Sequence, residues 1–259
     1  MNENLKEKVK DILRPAYYAY LKPQIRIRCE NTRIEYESFR GKHLNSKCCI
    51  VANGASLQIN DLNKLSDNNV ICLGMNKIFA IYDRTYWRPQ YYFVQDPTCI
   101  RNYYNELVDV TKQSKLFMRP TGQKQYDIKG AIHYSVNYSR SWKDKTPLFS
   151  DGTNMEYYDG KTVAYSVLQF AVYMGFSKIF LLGFDCDYGE NNVINKHSYP
   201  DERMYDPKKI GMPPDVAYWF RSYEVAKKYT EERDISIINL TRGGKLDVFQ
   251  RAKFDQIFR

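Results

Sequence analysis

The stretch CCIVANGASL, residues 48–57, is a short apolar run that ends in a small polar loop. The stretch IFLLGFD, residues 179–185, repeats this arrangement much later in the chain. Buried parallel strands have this apolar character, and their loops emerge at the carboxyl edge of the sheet. Ligands of open α/β sheets bind at that edge. The two stretches therefore predict a mainly parallel sheet with a ligand site at its carboxyl edge.

The composition predicts a folded, soluble chain with an anionic partner. The 259 residues are 43% hydrophobic and 27% charged, and their formal net charge is +9. Such a charge favours phosphate, nucleic acid or an acidic membrane face as partner. No apolar run approaches the roughly 20 residues that a spanning helix needs, and no signal-peptide pattern opens the chain. We therefore expect a cytoplasmic protein.

The six cysteines lie mainly in apolar contexts and show no C-x-x-C spacing. That pattern predicts reduced thiols in the core rather than a metal site or a disulfide framework. Aromatic residues make up 15% of the chain, and we expect most of them to pack in the core while some line a groove.

The N-terminal region is basic and amphipathic. Residues 3–14 have apolar side chains at helical spacing and predict a short helix that ends before Pro15. An aromatic, basic segment follows at residues 17–23. Residues 3–22 could contact an anionic membrane surface, or the helix could dock on its own domain. We treat residues 1–45 as an N-terminal extension.

From residue 46 the pattern of strands and helices alternates. The predicted fold is α/β, a single Rossmann-like, mainly parallel sheet flanked by helices, and it forms one catalytic domain over residues 46–259. A long polar segment at about residues 186–214 predicts an inserted lid. The predicted strands are 48–52, 70–74, 91–94, 178–182 and 235–240, and the main predicted helices are 162–174 and 215–233. Residues 57–65 predict a short helix or a turn. Residues 97–158 are less regular, with 115–118 and 131–134 as candidates for further strands.

The loop after the first strand contains neither the dinucleotide fingerprint G-x-G-x-x-G nor a P-loop. It offers instead a turn of small residues, Asn53, Gly54 and Ser56. The backbone N–H groups of such a turn and the Ser56 hydroxyl can receive phosphate. A helix cap would explain the same residues.

Further polar side chains follow the next strands and open the long apolar helix. Asn76 can read a base or a ribose, and Lys77 can neutralise phosphate. Asp96 adds an acid at the same edge. Lys161 and Thr162 precede the apolar helix and predict either an anion site or a simple N-cap.

The candidate catalytic residues are His197 and Asp185. His197 lies in the predicted lid, and an imidazole can serve as the general base that activates a sugar hydroxyl. An inert loop histidine is the alternative. Asp185 and Asp187 follow a buried strand, where they could hold a divalent ion or anchor the lid. We assign no metal ligand.

Taken in order, the motifs resemble two related families over residues 47–250. One comprises the bacterial lipooligosaccharide sialyltransferases, which use CMP-sialic acid on a Rossmann-like fold with a lid. The other comprises proteins similar to the archaeal hydroxymethylpterin pyrophosphokinase. The motifs are ANGASL at 52–57, MNK at 75–77, QD at 95–96, DGKTV at 159–163, MGFSKIFLLGFD at 174–185 and HSY at 197–199.

The resemblance to the sialyltransferases implies roles for several residues. Asn53, Gly54 and Ser56 match the loop that binds the nucleotide. Asn76 matches an asparagine that reads the nucleotide, whereas Lys77 has no counterpart.

The resemblance also extends to the lid. Lid tyrosines of the sialyltransferases hold the donor phosphate, which makes Tyr188 and Tyr199 candidates, and a lid histidine acts as base, which implies that role for His197. Those enzymes use no metal. Their Ser-Gly pair at the start of the long helix is not reproduced here.

The sequence therefore favours a sialyltransferase-like glycosyltransferase of lipopolysaccharide or capsule biosynthesis. It would transfer a sugar from a nucleotide donor, a CMP-sugar, to a glycan or lipid-linked acceptor at the inner face of the cell membrane. The donor is a co-substrate, and no cofactor is expected. A homo-oligomer is compatible with the sequence.

Two other functions are weighed against this one. An ATP- and Mg²⁺-dependent pterin pyrophosphokinase-like diphosphotransferase would use Asp96, Asp185 and Asp187 to hold the metal. A nucleic-acid binder is least favoured, because much of the basic charge precedes the predicted core and no RNA- or DNA-binding motif is present.

Overall fold

The computed structural model describes residues 3–187, 197–198 and 215–258, with residues 3–15 described by their backbone alone. Helices and short strands alternate along most of the described chain. The helices are α1 Glu3–Asn31, α2 Arg33–Glu37, α3 Ile59–Asp67, α4 Pro97–Asn102, α5 Tyr104–Val110, α6 Val163–Tyr173, α7 Val216–Glu231 and α8 Phe254–Ile257. The strands are β1 Lys47–Val51, β2 Ile71–Met75, β3 Tyr91–Val94, β4 Lys115–Met118, β5 Ile132–His133, β6 Ser135–Asn137, β7 Glu156–Tyr158, β8 Lys178–Leu182, β9 Ser236–Asn239 and β10 Gln250–Arg251.

The main sheet has eight strands in the order β10-β9-β8-β1-β2-β3-β4-β5. All of its neighbouring strands run parallel. From β1 the chain builds the sheet outward to β5 on one side, and it later builds β8 to β10 on the other. The order of the strands thus reverses between β1 and β8, which is where open α/β sheets bind ligands. The expected mainly parallel α/β fold is confirmed.

Alternate side chains of the strands enter two cores, one on each face of the sheet. Ile50, Phe93 and Leu181 belong to the core under α6 and the second half of α1. Val51 and Leu182 belong to the opposite core, together with residues of α3, α5 and α8. Burial on both faces explains why the strands read as continuous apolar runs.

The first helix differs from the expectation of a helix over residues 3–14. Helix α1 continues through Pro15 and Pro23 to Asn31. A proline removes one hydrogen bond from the helix and kinks it, but tertiary packing can outweigh that cost. Here Leu21, Ile25 and Cys29, four residues apart, are only 6%, 2% and 5% exposed. The second half of α1 therefore docks on its own domain.

The region 97–158 contains more regular structure than the candidate strands 115–118 and 131–134 that the sequence indicates. Helices α4 and α5 fill its first part, and β6 pairs with β7 in a separate two-stranded parallel sheet. The reason is that these elements are too short to show a clear period in the sequence.

Three further sequence expectations concern the cysteines, the lid and membrane-spanning helices. All six cysteines are buried and form no disulfide bond in the described structure, in agreement with the expectation of core thiols. Most of the predicted lid, residues 188–196 and 199–214, lies outside the described part of the chain. Within the described residues, no helix has the length and apolar character needed to cross a membrane.

Candidate active site

The loops that follow β1 and β8 lie side by side at the carboxyl edge of the sheet. Val51 is paired with Leu182 in the register of the two strands. Just beyond them, the Gly54 N–H donates to the Gly183 carbonyl over 2.9 Å. A Cβ atom at position 54 would lie 2.4 Å from Asp185 Oδ1 and 2.5 Å from the Gly183 oxygen. Only glycine permits this close approach of the two loops.

The Asp185 carboxylate fixes the conformation of the first loop. Its Oδ2 accepts a hydrogen bond from the Ser56 N–H over 2.9 Å, and its Oδ1 accepts one from the Ser56 hydroxyl. The backbone oxygen of Asp185 in turn accepts from the Lys245 N–H over 2.7 Å. Asp185 therefore lies beside the cavity and also holds Ser56 in position.

Two asparagine side chains at this edge each bury an oxygen atom without a partner. Asn53 Nδ2 donates to the Met75 carbonyl over 3.2 Å, which fixes the orientation of its amide. Asn53 Oδ1 and Asn76 Oδ1 are buried and have no hydrogen-bond partner in the described structure. A buried oxygen that accepts no hydrogen bond is costly, so both atoms are suited to a ligand that carries N–H or O–H donors.

The backbone of His197 lies directly against the first loop. Residue 197 forms an antiparallel bridge with Gly54, and the next residue, Ser198, donates its N–H to the Asn53 oxygen over 3.0 Å. His197 also lines the cavity at this edge. The fold therefore brings this predicted lid residue to the loop that the sequence assigns to the nucleotide.

The N-terminus of α6 forms another wall of the cavity. Thr162 is the N-cap, and its hydroxyl accepts a hydrogen bond from the Ala164 N–H over 3.3 Å. Residues 162–164 line the cavity. Because the first N–H groups of a helix and its dipole favour anions, this wall is suited to a phosphate group.

Lys161 is held by the first turn of α7 rather than directed freely into the cavity. Its Nζ lies 2.5 Å from Asp215 Oδ2, and its carbonyl accepts from Trp219 Nε1 over 3.0 Å. Burial raises the pKa of Asp215, but the hydrogen bonds from Lys161 and Tyr218 outweigh it, and the pKa lies below its usual value. The ion pair fastens α7 to the start of α6.

The cavity enclosed by these elements has a volume of about 120 Å³ among the described residues. It contains side chains that the sequence reasoning missed, notably Phe184, Trp219 and Tyr223. Trp219 and Tyr223 follow Asp215 at intervals of four residues, which places all three on one face of α7. That spacing is the signal that could have identified them.

Lys77 and Asp96 are placed differently from the expectation, and neither lines the described cavity. The chain turns at Asn76, which has a φ of +51°, and Lys77 then begins a short 3₁₀-helix. Its side chain is buried, with Nζ 5.0 Å from the centre of the Tyr103 ring. Asp96 is exposed and caps α4 by accepting from the Thr98 N–H over 2.8 Å.

Several expected site residues fall outside the description or form no metal cluster. Tyr188 and Tyr199 lie outside the described residues. Asp187 forms an ion pair with Lys245 over 3.1 Å. In the part of the chain that the structure describes, no three His, Cys, Asp or Glu side chains converge in a geometry that could hold a metal ion.

Two solved structures resemble this fold at low sequence identity. The MAf glycosyltransferase from Magnetospirillum magneticum AMB-1 is 13% identical, with a TM-score of 0.53, and the match covers 89% of this chain and 39% of that one. This chain thus spans about two fifths of that enzyme. The sialyltransferase CstII from Campylobacter jejuni, solved with the substrate analogue cytidine-5'-monophosphate, is 16% identical, with a TM-score of 0.49 and coverage of 83% and 87%.

Sequence comparison with families identifies the chain more directly than these structures do. No curated protein matches it. The model of a family described as 6-hydroxymethylpterin diphosphokinase MptE-like matches residues 27–191, which include β1, β8 and the loops that border the cavity. The chain belongs to the MptE-like family.

Proposed function

We propose that this chain is a glycosyltransferase that binds a nucleotide-activated sugar, linked to CMP, in the cavity between the β1 and β8 loops. The observation that carries the proposal is the pair of buried, unpaired oxygens of Asn53 and Asn76. A nucleoside supplies the donors that these oxygens lack, in its ribose hydroxyls and in the amino group of cytosine. The motif resemblance to the sialyltransferases favours CMP over other nucleotides.

The other walls of the cavity complement a nucleotide. The N-terminus of α6, capped by Thr162, offers N–H groups and a favourable dipole to the phosphate. The glycines of both loops allow the backbone to approach the ligand closely. The fold shared with a glycosyltransferase of known structure supports the same proposal.

In the proposed reaction His197 removes the proton from an acceptor hydroxyl. The acceptor oxygen forms a bond to the anomeric carbon of the donor sugar. The bond from that carbon to the phosphate oxygen breaks, and the electron pair leaves with the nucleotide. The α6 N-terminus stabilises the charge that develops on the phosphate, and Tyr188 and Tyr199 are proposed to assist from the lid.

The family description favours a second candidate, an ATP- and Mg²⁺-dependent diphosphotransferase of pterin type. That reaction would use Asp96, Asp185 and Asp187 to hold the metal. In the structure Asp185 binds Ser56, Asp187 pairs with Lys245 and Asp96 caps α4. These carboxylates would have to exchange partners, so we place this function second.

A thermal-shift screen separates the two functions. We expect CMP to raise the melting temperature without metal, because a ligand at about 100 times its Kd stabilises the native state by about 2.7 kcal/mol. The screen should include CMP, CDP, UDP, GDP and ATP, each with and without Mg²⁺. A response to ATP only in the presence of Mg²⁺ would replace the first function with the second.

We further propose that the outer face of α1 contacts an anionic membrane surface, where lipid-linked acceptors reside. Tyr17, Tyr20 and Ile27 lie on one side of the helix and are 59%, 69% and 61% exposed. Lys22 and Arg26 are also exposed on α1. Exposed aromatic and basic residues on one helix are typical of interfacial binding.

Sedimentation with lipid vesicles tests this contact. We expect the protein to bind vesicles that contain phosphatidylglycerol more strongly than vesicles of phosphatidylcholine alone, and the double variant Tyr17→Ala, Tyr20→Ala to lose most of this binding. Tyr86→Ala is the matched control, since Tyr86 is 62% exposed elsewhere on the surface. Equal binding by the double variant and the control would refute the membrane contact.

A further inference from the structure

Arg119 is a buried cation at the carboxyl end of β4 that the proposed mechanism does not use. The backbone N–H of Arg119 donates to the Val94 carbonyl over 3.0 Å, so the backbone at this residue is fixed to the neighbouring strand β3. The residue is only 6% exposed. Its Nε is buried and has no hydrogen-bond partner among the described residues. The guanidinium group is thus held in place with at least one donor unused.

Aromatic rings form the walls around this guanidinium group. Its central carbon lies 5.8 Å from the centre of the Tyr18 ring and 5.4 Å from that of Tyr138. Trp142 stacks on Tyr138 with ring centres 5.0 Å apart, and it contacts Tyr18 edge-on. The faces of aromatic rings attract a cation. An oxyanion binds a guanidinium group more strongly, because its oxygens accept directed hydrogen bonds from the N–H groups.

The surrounding protein does not neutralise Arg119 by a direct ion pair. The buried Asp159 carboxylate interacts electrostatically with Arg119 but forms no ion pair with it, and its Oδ1 accepts from the Lys161 N–H over 3.0 Å and from Gln95 Nε2 over 3.4 Å. Among the ion pairs of the described residues, none includes Arg119. A buried charge that lacks a direct ion pair is unfavourable, so Arg119 is suited to an external anion as its partner.

Arg119 lies at the same edge of the sheet as the nucleotide cavity. Strand β4 is separated from β2, which carries Asn76 at its end, by β3 alone. Neighbouring strands lie about 4.8 Å apart, so the two strand ends are separated by roughly 10 Å. Arg119 itself does not line the cavity of the described residues, so a group bound to Arg119 would lie beyond the nucleotide.

We propose that Arg119, walled by Tyr18 and Tyr138, is a subsite for an oxyanion, a carboxylate or a phosphate, on the non-nucleotide part of the substrate. The inference rests on the proposed function. It assigns a negative charge either to the sugar that is transferred or to the acceptor that receives it. The guanidinium fork would donate parallel hydrogen bonds to the two oxygens of the anion. Because Tyr18 belongs to α1, the N-terminal helix completes this subsite.

The test compares wild type with Arg119→Met in thermal-shift titrations at constant ionic strength. The probes are glucuronate, which carries a carboxylate, inorganic phosphate, and glucose as the neutral match. We expect at least one anion to raise the melting temperature of wild type saturably and glucose to have no effect. In Arg119→Met the response should be lost, and the melting temperature without anion should stay equal or rise, since an unpaired buried charge is removed.

Two further variants make the outcome decisive. Arg233→Met is the matched control, because Arg233 also lies over a tyrosine ring, 3.7 Å from the centre of Tyr229, and should keep the anion response. Arg119→Lys keeps the charge but loses the fork, and its apparent affinity for the anion should fall about tenfold; it also serves if Arg119→Met does not fold. A response to glucuronate alone identifies a carboxylate, and a response to phosphate alone a phosphoryl group.

The inference and the proposed function fail in different ways. Absence of a saturable anion response in wild type, or an equal response in wild type and Arg119→Met, overturns the subsite. If CMP still stabilises the protein in that case, the transferase function stands without it. If the anion response depends on Arg119 while CMP has no effect, the subsite stands and the nucleotide assignment fails.

Discussion

Replacing His197 by Ala is expected to lower turnover by about 10²–10⁴-fold, the usual contribution of a general base. The donor should still bind with nearly unchanged affinity, because the loop residues Asn53 and Gly54 bond to residues 197 and 198 through backbone atoms, which the substitution retains. The measurement is the release of CMP from CMP-sialic acid, or from the donor that the ligand screen identifies, together with donor binding by calorimetry.

The matched control is His43→Ala. His43 contacts the Tyr91 hydroxyl over 2.7 Å and stacks on Phe176, at the amino end of the strands and away from the cavity. This variant should lose some stability but keep its turnover per folded molecule. Full turnover in His197→Ala would remove this histidine from the mechanism, and equal losses in both variants would point to a general effect of destabilisation.

Replacing Asp185 by Asn is expected to weaken nucleotide binding about tenfold, which corresponds to about 1.4 kcal/mol. The carboxylate accepts from both the N–H and the hydroxyl of Ser56. A carboxamide offers one acceptor oxygen for the Ser56 N–H, and its NH₂ group can only donate to the Ser56 hydroxyl, so two hydrogen bonds to a charged acceptor become weaker neutral ones. The loop that carries Asn53 would lose part of its fixation, so the KM for the donor should rise more than kcat falls.

A double-mutant cycle with Ser56→Ala identifies the role of Asp185. If Asp185 acts by holding the loop, Ser56→Ala should reproduce part of the loss in affinity, and the two substitutions together should cost less than the sum of the single ones. A fall in kcat with an unchanged KM, and additive effects, would instead show that Asp185 acts in the chemical step.

The strands and the family motifs were readable in the sequence. The predicted strands 91–94 and 178–182 agree with β3 and β8 to the residue, and so does the candidate strand 115–118 with β4. Each is a short apolar run bounded by polar or turn residues, and burial on both faces of a parallel sheet requires that pattern locally. The position of the loops at the carboxyl edge followed from the prediction that the strands are parallel.

Other features depended on contacts between residues far apart in the chain. Helix α1 passes Pro15 because Leu21, Ile25 and Cys29 find a core to pack against, and no local signal reports that core. Lys77 follows Asn76 directly in sequence, yet the turn at Asn76 sends its side chain into the protein. Where the backbone turns, the side chains of two consecutive residues can lie in different environments, and this becomes visible only in the folded structure.

The sequence by itself determined the parallel α/β sheet, and it predicted the edge at which the ligand is expected and the loop residues Asn53, Gly54 and Ser56. The tertiary structure decided that Asp185 is bonded to Ser56, that the oxygens of Asn53 and Asn76 are buried without partners, and that Arg119 lies between aromatic rings. Periodicity and turn chemistry are local properties, which a sequence displays directly. Hydrogen-bond partners and the compensation of buried charge are properties of packing, since they join residues that are neighbours only after the chain has folded.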